Sequence, residues 1–182
     1  VAADFTVRTA GAPDAGAIAR VHVASWRAAY RGLLADEALA QLSIDEREQM
    51  WRKALSDEDA LLDERSIKIA VADDAVLGFV AAGPSREDDV RARSGEIYAI
   101  YVHPDHWSSG VGQALLDSAL ADLIGAGFDN VLLWVLDSNA RACQFYELAG
   151  WARDGRSKSE RLAALPNFDA EVNEVCYRRD LR

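Results

Sequence analysis

Apolar positions recur along the chain with two different periods, and the switches between them mark the elements. "DFTVRTA" alternates weakly and predicts a first strand. In "APDAGAIARVHVASWRAAYRG", Ile18, Val21, His22, Ser25, Trp26 and Ala29 recur at helical spacing, and Gly32 follows as a stop. His22 shares the face of Ile18 and Trp26 and reads as a satisfied core group. A second helix begins near Ser43, where "SIDE" sets Glu46 three residues after a candidate N-cap, and runs through Trp51 to about Leu55. "SIKIAVADDAVLGFVAAG" is two β-rich runs about Asp73-Asp74, a hairpin signal. The polar stretch "PSREDDVRARSG" reads as an exposed loop.

"EIYAIYV" is apolar on both alternating faces, as suits a central strand covered on both sides. In "VGQALLDSALADLIGAG", Leu116, Leu120, Leu123 and Ile124 share one helical face, with Gln113 and Asp117 on the other. Gly125 and Gly127 are natural terminators of that helix. "NVLLWVL" is another two-sided strand, "NARACQFYELAGW" another helix stopped by Gly150, and "EVNEVCYRRDL" a closing alternating strand. The order is β, α, α, a β-hairpin, then β-α-β-α-β-β. It predicts one mixed α/β domain over residues 1–182, with helices covering a central sheet.

Composition narrows the partners. The 182 residues suffice for one well-packed domain, and a net charge of −10 argues against nucleic acid or an anionic membrane as the main partner. An acidic surface attracts cations, although most of the charge lies in runs such as "SDEDALLDE" that serve solubility. No apolar segment approaches the roughly 20 residues of a membrane helix, and "VAADFTVRTA" lacks a secretory pattern, so the expected location is cytoplasmic. Cys143 and Cys176 form neither a metal spacing nor a disulfide framework, and Cys143 falls in a helix as a small core residue. His103 and His106 flank Pro104-Asp105, but nothing else in the sequence completes a metal site.

The clearest chemical signature is "HPDHWSSGVGQALL". A P-loop needs a Lys after its last glycine, and none follows here. A dinucleotide fingerprint needs a tight turn and a small third residue, where this chain has seven residues between Val102 and Gly110, and then Leu115. A plain loop entering a helix remains open. So does a diphosphate cradle, because Ser108 through Gly112 supply successive N–H groups where a helix starts.

"EIYAIYVHPDHWSSGVGQALL" followed by "LLWVLDSNARACQFYELAGW" strongly resembles the GNAT family of N-acetyltransferases. That signature is V-x-P at a strand end, [QR]-x-x-G-x-[GA], and then N-x-x-A-x-x-F-Y-x-x-x-G-[FW]. Val102, Pro104, Gly110, Gly112, Asn139, Ala142, Phe145, Tyr146, Gly150 and Trp151 fall in register with it. "WRAAYRGLL" extends the likeness toward the N-terminus. Trp107 stands at the Gln/Arg position, and Trp134 where some members carry an acidic residue.

The resemblance implies a mostly antiparallel mixed sheet, splayed at a central parallel strand pair, with helices on both faces. It implies acetyl-CoA as donor and a primary amine as acceptor, a small molecule ahead of a peptide. The pyrophosphate loop maps onto Ser108, Ser109, Gly110, Val111, Gly112 and Gln113, the pantetheine-pairing strand onto Ile100, Tyr101 and Val102, and a further cofactor contact onto Asn139. Tyr146 occupies the position of the acid that protonates the leaving thiolate, against packing as a core aromatic beside Phe145. Trp26 and Tyr30 line the acceptor site or the core, and homodimers are frequent in the family.

An alkyl amine of pKa near ~10 must lose a proton before it attacks a thioester. Glu96 heads the strand beside the cofactor and shares a face with Tyr98, Ile100 and Val102 in strict alternation, which makes it the first candidate for the base. The competing reading is an exposed strand-end carboxylate. N–H groups near Val102 would polarise the thioester carbonyl. Gly155 to Ala170, rich in charge and bearing Pro166, is expected to form a variable loop over the acceptor side. Direct transfer in a ternary complex is the expected mechanism. Protein N-terminal or lysine acetylation is the alternative within the class, and a non-catalytic CoA-binding sensor the alternative outside it.

Overall fold

A computed structural model describes residues 4–56, 64–87, 93–161 and 171–182. Among these residues, seven strands form one sheet in the order β1-β2-β3-β4-β5-β7-β6. They are β1 (Thr6–Thr9), β2 (Ser66–Ala72), β3 (Ala75–Pro84), β4 (Ser94–Val102), β5 (Asn130–Leu136), β6 (Ala152–Arg161) and β7 (Glu171–Asp180). Every neighbouring pair is antiparallel except β4 and β5, which run parallel. The β2–β3 turn places Asp73 and Asp74 at φ 46° and 64°, the left-handed geometry that matches a hairpin's twist.

Helices cover both faces. On one lie α1 (Ala15–Ala29), the short α2 (Asp36–Ala40) and α3 (Ile44–Ser56); on the other lie α4 (Val111–Gly125) and α5 (Ala140–Leu148). The second helix predicted from Ser43 is α3, and the Ser43 hydroxyl accepts from the Glu46 N–H at 3.2 Å. In α4 the buried stripe is Val111, Leu115, Leu116, Ala119, Leu120 and Leu123. Each large aliphatic side chain buried there contributes about 1.5–3 kcal/mol. Ile124, expected on that face, is 53% exposed because it lies one step round the helix past Leu123.

Two departures from regular pairing shape the centre of the sheet. First, β4 and β5 pair only at Ser94↔Asn130, Gly95↔Val131 and Glu96↔Leu132. Beyond Glu96 the strands part, while β4 stays paired with β3 as far as Val102 and β5 with β7 as far as Leu136. Second, Ala99 pairs with Ala81 but Ile97 with Ala82, so Tyr98 is an extra residue in a β-bulge.

The bulge overturns the strict alternation expected from Glu96 to Val102. Tyr98, Ala99 and Tyr101 pack against the cluster under α1 and α3, whereas Ile100 and Val102 pack against the cluster under α4. One inserted residue turns the strand over.

The segment expected as a loop from Gly155 to Ala170 is also partly regular. Residues 155–161 belong to β6, the edge strand, where burial alternates from Asp154 to Ser159; 162–170 lie outside the described residues. Among the described residues, no helix is long and apolar enough to cross a membrane.

Candidate active site

The parting of β4 and β5 opens a cleft of about 870 Å³ between α1, the two strands, the start of α4 and α5. On its β4 wall, the His103 N–H is bonded to the Leu77 carbonyl of β3 at 2.7 Å. A trans peptide points its carbonyl the other way, so the Val102 C=O faces the opened edge. Alternation puts the Ile100 main chain on the same edge. That edge is an unpaired strand margin, open to an extended amide-bearing chain. The Val102 carbonyl already accepts from Ser25 Oγ at 2.9 Å and Trp107 Nε1 at 2.8 Å. Trp107, at the family's Gln/Arg position, thus braces the strand end and carries the Arg141 guanidinium 3.4 Å above its ring.

At the end of the cleft nearest Val102, α4 begins. Gly110 is its N-cap at φ 88°, and Ser108 has φ 60°. The first intrahelical bond is Ala114 N–H to Gly110 C=O, which leaves the amides of Val111, Gly112 and Gln113 without helical partners. A Cβ at Gly110 would meet nothing within 4 Å, so glycine is required there by its backbone angle; at Gly112 a Cβ would make ordinary contact with Phe145 and Val102. The cradle therefore fits a diphosphate through main-chain donors and the helix dipole.

The side chains of this turn contribute less than expected. The Ser109 hydroxyl donates to the His106 carbonyl at 2.6 Å, the Gln113 amide donates to Asp117 Oδ1 at 2.8 Å, and the Val111 side chain is fully buried in the core. Asn139 lines the cleft, but its Oδ1 caps α5 by accepting from the Ala142 N–H at 3.1 Å. Only its amide nitrogen is left for a ligand.

Tyr146 enters from α5, 8% exposed, packed at 5.2 Å from Phe145 and 6.1 Å from Tyr177 by ring centroids. Burial, with Tyr101 and Cys143 adding to it, pushes its phenol well above its ordinary value. The group is therefore a phenol, not a phenolate, throughout the neutral range, and it faces the cleft as well as packing in the core. Trp26 and Tyr30 do the same on the α1 side, at 7% and 8% exposure.

Tyr101 stacks on His22 at 5.0 Å and 19°. His22 accepts from Trp51 Nε1 at 3.1 Å, and burial, with Arg47 adding to it, depresses its pKa to about 3. It is the neutral, satisfied core histidine that its helical face predicts.

Glu96 is buried rather than an exposed strand end, at 2% exposure. Oε2 accepts from the Arg86 N–H at 2.9 Å, and Oε1 takes the Arg86 guanidinium through Nε and Nη2. Arg86 also lies 4.6 Å above the Tyr98 ring, whose hydroxyl donates to the Pro84 carbonyl. The β4 bulge thus assembles Glu96, Arg86 and Tyr98 on one wall of the cleft. Three further lining residues had no sequence signal: Lys158, Glu174 and Glu87 converge from β6, β7 and the turn after β3.

This architecture, an opened parallel pair beside a glycine-capped helix, is shared with proteins of known family. The model of the acetyltransferase (GNAT) family matches residues 27–151. The chain belongs to the GNAT acetyltransferase family. It is 35% identical over 138 residues to an uncharacterized N-acetyltransferase, YuaI of Bacillus subtilis (strain 168), covering 74% of this chain and 73% of that one. Among solved structures it resembles the PaiA N-acetyltransferase of Thermoplasma acidophilum in complex with coenzyme A. The TM-score is 0.75 at 18% identity, over 97% of this chain and 99% of that one. It also resembles YncA of Salmonella typhimurium, a proposed acetyltransferase with its cofactor acetyl-CoA. There the TM-score is 0.71 at 18% identity, over 99% of this chain and 95% of that one. At such identities the structural likeness speaks for the fold.

Proposed function

We propose that residues 1–182 act as one N-acetyltransferase domain that moves the acetyl group of acetyl-CoA to a primary amine of a small molecule, by direct attack in a ternary complex. The observation that carries this is the coincidence in one cleft of an unpaired β4 edge, a helix start with free amides, and a buried protonated Tyr146. When bound, acetyl-CoA supplies a thioester activated toward amines. The Val111, Gly112 and Gln113 amides hold its diphosphate, and the Ile100 and Val102 main chain pairs with its extended arm. Tyr146 gives its proton to the departing sulfur, whose conjugate thiol has a pKa of about 8.5. Glu96 takes the acceptor's proton once Arg86, 66% exposed, swings its guanidinium off Oε1. Trp26, Tyr30 and Tyr98 wall the acceptor end, and this aromatic enclosure favours a small amine over a peptide.

Two observations favour a second reading, a non-catalytic CoA sensor: both Glu96 oxygens are engaged, and Trp134 stands where an acid would sit. A thiol-release assay with acetyl-CoA over a panel of amines, polyamines and peptides separates the readings. Turnover on small amines is the expected result. Tight acetyl-CoA binding with no turnover on any acceptor establishes the sensor, peptide-only turnover overturns the small-molecule assignment, and absence of binding overturns both.

A further inference from the structure

The acceptor end of the cleft contains an ammonium group of the protein's own. Lys158 Nζ lies 3.6 Å from Glu174 Oε2, 3.8 Å from Glu87 Oε1 and 4.4 Å above the Trp134 ring. Two carboxylates and an indole face make a cage of the kind that selects alkylammonium ions, by charge and by the ring quadrupole together. Both ion-pair distances exceed the 2.7–2.9 Å of a close charge-assisted bond, so Lys158 bridges the two acids without seating fully on either. Glu174 is the more buried of the two, with 17% of its side chain exposed, and the field of its carboxylate reaches Tyr30 and Tyr101 across the cleft.

Among the described residues, Glu87, Glu96, Glu174, Arg86 and Lys158 line this end of the cleft. The other guanidinium near Trp134, that of Arg156 at 5.6 Å, is paired with Asp154 at 2.7 Å. The cage and the cleft are continuous, since Trp134, Lys158, Glu87 and Glu174 all line it.

We propose that Glu87, Glu174 and the face of Trp134 bind an alkylammonium group of the acceptor, and that Lys158 occupies this site until the acceptor displaces it. The inference rests on the acetyltransferase reading and narrows its acceptor to a cationic amine with an aliphatic stem. Lys158 sets a threshold on acceptor affinity, and the acceptor's ammonium takes over its contacts.

The test is calorimetric titration of the full chain with 1,4-diaminobutane at low ionic strength, where surface screening is least. Lys158→Met keeps the stem over Trp134 and empties the cage of charge; it should bind the diamine about tenfold more tightly than the parent chain. Adding Glu174→Gln to Lys158→Met should cost about tenfold. Adding Trp134→Leu instead should cost several-fold, a loss that a general change in net charge would not produce. Equal affinity in all four proteins, weaker binding by Lys158→Met, or no binding by any of them overturns the cage. Acetyl-CoA titrated into the same samples keeps the two ideas apart. Its failure to bind, with the diamine series intact, sinks the acetyltransferase reading alone.

Discussion

Acidification should weaken this fold over the pH range in which the unfolded chain protonates His22 and the folded chain does not. The ring is 8% exposed, accepts from Trp51 and stacks on Tyr101, and burial, with Arg47 adding to it, brings its pKa to about 3. The unfolded chain binds that proton near pH 6.5. Because the folded value is depressed, the stability it represents is fully present above pH 6.5 and is lost as the pH falls toward 3. Over the whole interval the loss approaches ~5 kcal/mol, and between pH 7 and pH 5 it is about 2 kcal/mol. Asp14, held below its ordinary value by its bond to Arg8, adds little between pH 7 and pH 5. Urea unfolding at pH 7, 6 and 5 measures the effect. His22→Gln retains an acceptor for the Trp51 N–H and does not titrate, so its stability should fall by about 2 kcal/mol less than the parent's over those two units. An identical fall in both proteins would refute the assignment of a neutral His22.

Further outcomes follow from the structure. Tyr146→Phe should lower kcat by about 10²–10⁴-fold while the acetyl-CoA Kd changes little, as stopped-assay kinetics and calorimetry would show. In the parent enzyme, kcat should show no falling limb between pH 9 and 10 from this residue, since burial keeps the phenol protonated there. Gly110→Ala, at φ 88°, should cost about 1–2 kcal/mol and lower Tm by a few degrees, together with a raised KM for acetyl-CoA. Cys176, its thiol pushed up by burial to about 12, should resist a maleimide at pH 8 in the native protein and react after unfolding.

What the sequence made legible was the part of the site carried by local pattern. Gly110, Gly112, Asn139 and Tyr146 stand in short motifs whose helix starts, caps and strand ends are set by neighbours in the chain. Helix α2 escaped because its five residues, Asp36–Ala40, are too few to display a period. The order anticipated two closing strands, but the extent of the edge strand β6 into the expected loop escaped because its alternation is written in charges such as Arg156 and Lys158, with no apolar face to announce it. The bulge at Tyr98 lies in pairing with β3, and a strand's own residues do not reveal an extra member of a ladder. The partners of Glu96 and Lys158 come from other strands and turns, so no spacing along the chain could foretell them.

The extra residue at Tyr98 has a consequence for how this protein could change over time. In the proposed reaction, β4 offers Glu96 and the bulged Tyr98 to the acceptor, and beyond the bulge the main chain of Ile100 and Val102 to the donor. A single strand is thereby divided into two halves that mutate under separate constraints. Substitutions upstream can retune which amine is accepted without loosening the donor's grip, and a one-residue deletion at the junction would scramble both at once.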